Sequence, residues 1–114
     1  MIAVIFEFTP AEGRAQDYMA LAKALGEDLA QADGFISIER YESLTTPGKR
    51  VSLSFWRDEE AVRGWRNRAR HREAQAQGRG GIFSGYRLRV AQVLRDYTHE
   101  ARAEAPADSL AAHG

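Results

Sequence analysis

The chain has 114 residues, the common size of one domain, and no cysteine, which leaves one hydrophobic core and excludes disulfides and thiol chemistry. Its 16 lysines and arginines balance 16 aspartates and glutamates, so no overall field draws it to nucleic acid or to a membrane. No apolar run approaches the roughly 20 residues of a bilayer span, and the start MIAVIFEFTP lacks the features of a signal peptide, so a cytoplasmic protein is expected.

Ile2 to Phe8 has the length and the isoleucine, valine and phenylalanine content of a buried strand. Thr9-Pro10-Ala11-Glu12 reads as a capping box with proline at the first helical position. Tyr18, Leu21, Ala22, Leu25 and Leu29 then recur at helical spacing, and the helix should end near Ala32 with Gly34 as its stop. Phe35 to Glu42 alternates as a strand, Pro47-Gly48 supplies a hairpin turn, and the return strand sets Val51, Leu53 and Phe55 against Ser52, Ser54 and Trp56. Asp58 can cap a second helix whose stripe is Val62, Trp65 and Ala69 and whose expected stop is Gly78. GRGGIF lacks a phosphate-loop spacing and reads as a flexible connection or lid. Tyr86 to Tyr97 is the last strand, with a phase slip that predicts a bulge near Ala91 or a crossing into a partner. From Thr98 onward the alanine-rich, polar sequence reads as a flexible tail, leaving residues 1–97 as the domain and 98–114 outside it.

Strand, helix, hairpin, helix, strand is the β-α-β-β-α-β order of an α+β ferredoxin-like fold: four antiparallel strands with both helices on one face. The other face would then carry Ile5, Trp56 and either Ile36 and Ile38 or Phe35 and Tyr41. That much apolar surface predicts a homodimer joined sheet to sheet. Arginines crowd residues 57–95; they read first as a solvated face with partners on neighbouring elements, and second as an anion or nucleic-acid site.

The element order and the segment SLSFWRDEEAVRGWRNRARHREAQAQGR resemble the antibiotic biosynthesis monooxygenase family of dimeric α+β barrels. Phe55-Trp56 ending a strand, the acidic helix start at Asp58 to Glu60, Trp65 in that helix and His71 six residues on carry the resemblance. It implies a dimeric α+β barrel and a cofactor-independent monooxygenase acting on an aromatic, quinol-like or anthrone-like molecule. The family also holds haem-degrading members and members without an assigned reaction, so a haem-degrading relative and a non-catalytic ligand-binding homodimer are the alternatives. The sequence departs from both catalytic branches: Phe6 or Glu7 stands where the haem branch has an asparagine, and Ala61 where the phenol-oxidising branch has one.

By the same resemblance Trp65 lines a pocket between sheet and helices, and His71 takes a polar pocket position. Chemistry agrees on His71, because a histidine titrates nearest neutral pH and is the best base for deprotonating a phenol-like substrate. The competing reading is a surface histidine, since six residues of unbroken helix would turn it about 120° from Trp65. His71 and Trp65 are thus the catalytic candidates. Phe6, Phe55, Phe83, Tyr86 and Arg87 are the candidate substrate contacts, and no metal or cofactor is expected.

Overall fold

Nine residues rich in isoleucine, valine and phenylalanine form the central strand β1 (Ile2–Pro10), and the amphipathic stripe forms α1 (Ala15–Leu29). The structure, a computed structural model, describes residues 1–68, 71, 73 and 78–114, with backbone alone at 78 and 79. The hairpin is β2 (Phe35–Glu42) and β3 (Arg50–Trp56), followed by α2 (Glu59–Arg66), β4 (Phe83–Gln92) and a short α3 (Ala107–His113). The strands pair antiparallel in the order β2-β3-β1-β4, the ferredoxin-like α+β arrangement that the element order dictates.

Local chemistry explains most of the boundaries. Between β2 and β3 the Lys49 amide donates to the Thr46 carbonyl at 3.2 Å across Pro47-Gly48, and Gly48 has φ +80°, a type II turn. Asp58, in extended conformation, caps α2 by accepting from the Ala61 amide at 2.9 Å. That amide, and then the Arg57 guanidinium, hold its carboxyl below the usual range. Gly34 (φ +79°) lets β2 begin hard against α2, because a Cβ there would collide with the Ala61 methyl.

The first helix starts later than the capping box predicts. Thr9 and Pro10 are still paired to β4, and the Ala11 amide donates to the Ile82 carbonyl at 2.7 Å, so the sheet claims the Thr9-Pro10 backbone. Arg14 takes the cap position instead, without a side-chain cap, and α1 closes at Ala30 before the turn at Gly34. The second helix closes at Asn67, whose amide and side chain both donate to the Arg63 carbonyl, rather than at Gly78. Its expected stripe residue Ala69 lies outside the described residues. Gly78–Ile82 is a π-helical turn rather than a free lid, and Ile82 is buried.

The phase of β3 is the reverse of the expected one. Register pairs Trp56, Ser54 and Ser52 with Ile2, Val4 and Phe6, and these turn toward the helices, while Phe55, Leu53 and Val51 lie with Ala3, Ile5 and Glu7 on the open face. Trp56 is therefore core, not open-face surface. In β2 a register shift at Ile36 puts Phe35 and Ile38 on the helix side and Tyr41 on the open side. Pairing of β4 with β1 is regular through Ala91; its irregularity falls at Thr9/Pro10, and β4 ends at Gln92. The segment read as a structureless tail folds on itself: Thr98 caps a turn to Ala101, α3 follows, and Arg102 reaches the Gly114 carbonyl at 2.9 Å and the face of Tyr97.

Candidate active site

The core is divided. Ile2, Leu29, Trp56, Ala61 and Trp65 form one buried cluster, and Phe8, Tyr18 and Ile82 form another. Between them, against the helix-facing side of the sheet, lies a cavity of about 270 Å³. Protein interiors are normally close-packed, so a gap of this size inside a small domain is a feature that the packing maintains at a cost.

The whole stripe of α1, Tyr18, Leu21, Ala22, Leu25 and Leu29, lines one side of it. The sheet supplies the floor through alternate residues: Val4 and Phe6 of β1, Ile38 and Arg40 of β2, Ser52, Ser54 and Trp56 of β3, and Tyr86, Leu88 and Val90 of β4. Val62, Trp65 and Arg66 of α2 close the third side, with His71 beyond the helix end. The side chains of β4 are only partly covered by the helices, with Leu88 53% exposed, so the cavity opens along that strand.

Rings furnish both ends. Phe35, Trp56 and Trp65 stand in succession, with ring centroids 5.3 and 6.1 Å apart, and the imidazole of His71 lies 5.0 Å from the indole of Trp65 at 60°. Phe6, Phe8, Tyr18, Phe83 and Tyr86 form the second aromatic group, Phe6 to Phe83 being 5.5 Å edge-on. Two polar bonds fix the walls: Trp56 Nε1 donates to Ser54 Oγ at 3.0 Å, and Arg40 Nε donates to the Tyr18 hydroxyl at 3.1 Å. Among the described residues no three His, Asp or Glu side chains converge closely enough to hold a metal ion.

Five of the residues singled out from sequence therefore share one cavity: Phe6, Trp65, His71, Phe83 and Tyr86. Phe55 and Arg87 do not. Phe55 pairs with Ala3, and Arg87 with Glu7, on the opposite face of the sheet, so neither side chain can reach a ligand between sheet and helices. The lining also includes Arg40 and Ser54, which were not singled out from sequence, Arg66, which was read only within the arginine-rich stretch, and Tyr18, which was given only a packing role. Alternation in the sequence already sets Arg40 on one face with Ile38; the structure adds that this face is the helix side of the sheet.

A four-stranded antiparallel sheet with an aromatic cavity between it and two helices defines an α+β domain of the ferredoxin-like class. The chain belongs to the antibiotic biosynthesis monooxygenase family, which its residues 1–77 match. It is 50% identical over 93 residues to a jasmonate monooxygenase of Pyricularia oryzae; the aligned region is 82% of this chain, and the chain spans 43% of that relative's length. Among solved structures it resembles Rv0793 from Mycobacterium tuberculosis, with TM-score 0.76, 24% identity, and 85% and 98% of the two chains covered. It also resembles a mutant form of SnoaB, a cofactor-independent oxygenase from Streptomyces nogalater, with TM-score 0.72, 13% identity, and 83% and 94% covered. At those identities the two structures speak for the fold alone. No helix among the described residues is long and apolar enough to cross a membrane.

Proposed function

We infer that this protein is a monooxygenase that works without a metal or organic cofactor on a small, largely apolar substrate bearing an acidic C–H or O–H, such as a quinol or an anthrone. The observation that carries this reading is His71 against Trp65 at 5.0 Å on the wall of an aromatic cavity. His71 takes the proton, the substrate anion gives electrons to dioxygen, and the aromatic enclosure keeps water from the anion and the oxygen adduct. For a methylene carbon the step balances as CH2 + O2 giving C=O + H2O. The carbon forms a bond to one oxygen atom, the O–O bond breaks, and the substrate supplies all the electrons. His71 returns its proton to the departing hydroxide.

The name of one relative, a jasmonate monooxygenase, supports the reaction class and adds jasmonate to the substrates worth testing. Oxygen uptake over a panel of anthrones, quinols and jasmonate, with the product analysed for one added oxygen atom, tests the reading; no uptake with any of them would count against it.

The homodimer belongs to the same proposal. The uniformly apolar face of β3, Val51, Leu53 and Phe55, lies with Ile5 on the side of the sheet that the helices leave uncovered. A second copy stacked on that face would remove it from water.

A further inference from the structure

Two exposed arginines, Arg40 from β2 and Arg66 from the end of α2, line a cavity whose lining among the described residues holds no aspartate or glutamate. Four arginines of this chain pair with carboxylates: Arg14 meets Asp17, Arg50 meets Glu42, Arg57 meets Asp33 and Asp58, and Arg89 meets Glu7. Arg40 instead donates its Nε to the hydroxyl of Tyr18 at 3.1 Å, in a part-buried bond. That bond holds the guanidinium through Nε, and among the described residues no acceptor takes either terminal nitrogen. The tyrosine, which accepts from Arg40, keeps its own proton to donate. A positive edge on an apolar cavity, lacking a carboxylate of its own, is complementary to an apolar molecule that brings one.

We propose that Arg40, oriented by Tyr18 and assisted by Arg66, anchors a carboxylate of the substrate, so that the ligand class is the apolar monocarboxylic acids. This deepens the oxygenase reading and rests on the same cavity being the substrate site. A carboxylate rather than an ionised phenol is specified, because a planar fork of terminal nitrogens matches two acceptor oxygens better than one.

The test is calorimetric titration without oxygen, using naphthylacetate, phenylbutyrate and cyclohexylacetate, each against its methyl ester, with a naphtholate as the competing anion. The acid is expected to bind about tenfold or more tighter than its ester. Arg40→Gln should erase that preference while leaving ester affinity within about twofold, and Arg40→Lys, which keeps the charge and loses the fork, should restore only part of it. The proposal is overturned if no acid in the set binds tighter than its ester, if the naphtholate binds best, or if Arg40→Gln keeps the preference. Anaerobic binding needs no turnover. Missing oxygen uptake would thus refute the oxygenase reading alone, and a missing acid preference would refute the anchor alone.

Discussion

The His71 imidazole packs against the Trp65 indole although six residues separate them, a spacing that an unbroken helix would turn to different faces. The break at Asn67 is what allows it: the amide and side chain of Asn67 both return to the Arg63 carbonyl, ending α2 directly after the last buried apolar contact. His71 lies past the end of α2, so helical periodicity counted from Trp65 does not set its place on the cavity wall.

The Trp56–Ser54 bond should be a measurable part of stability. Trp56 is 1% exposed and its indole N–H donates to Ser54 Oγ, itself buried. Ser54→Ala leaves that donor without its partner and should cost about 1–3 kcal/mol in urea unfolding, with the fold retained. A loss below about 0.5 kcal/mol would mean that the indole finds another acceptor.

Dimerisation should depend on Phe55 and not on the cavity. Phe55→Glu places a charge on the open sheet face, beside Ala3 and Leu53, on the far side from Trp65. Sedimentation should show a dimer for the wild type at micromolar concentration and a monomer for the variant. A wild-type monomer would sink the sheet-to-sheet interface.

Acid stability should report on Glu7. Lys49 Nζ and Arg89 Nη1 each lie 3.2 Å from its carboxylate, and together, Lys49 foremost, they hold its pKa below the ordinary 4.5. A carboxyl with a lowered folded-state pKa contributes stability above its unfolded value and loses it as pH falls through the folded one. Denaturant midpoints from pH about 6 down to about 3 should therefore fall less steeply for Glu7→Gln than for the wild type. Parallel curves would show that Glu7 contributes nothing to the acid limb.

Much of the fold was legible because it rests on local chemistry. The α1 stripe, the Pro47-Gly48 turn and the Asp58 cap all act within a few residues, and each lies where its own physics puts it. The faces of the sheet were not legible in the same way. Val51, Leu53 and Phe55 look like a core face by composition, yet the helices cover Ser52, Ser54 and Trp56, because one buried indole with its own hydrogen-bond partner outweighs a tidy apolar alternation. Phe55 was misplaced for that reason; Arg87 is excluded instead by the alternation of β4, which sets it on the face opposite Tyr86, Leu88 and Val90. The Thr9-Pro10-Ala11-Glu12 signal failed differently: a capping box is a local preference, and the pairing of Thr9 and Pro10 with β4 overrode it. Arg40 stayed hidden because its meaning depends on Tyr18, 22 residues away in sequence.

Replacing Trp65 should separate binding from chemistry. Trp65→Phe keeps an aromatic ring between Trp56 and His71, so the fold should survive while ligand affinity falls by several-fold, read by titration of a bound substrate analogue. Unchanged affinity would reduce Trp65 to a packing residue.

The most direct measurement is oxygen consumption by the wild type and by His71→Ala with the same substrate, at matched saturation of the binding site. The wild type should take up one dioxygen per product, and the variant should react at a rate on the order of 100-fold lower with binding little changed. Equal rates for the two proteins would contradict His71 as the base and, with it, the mechanism drawn from its place beside Trp65.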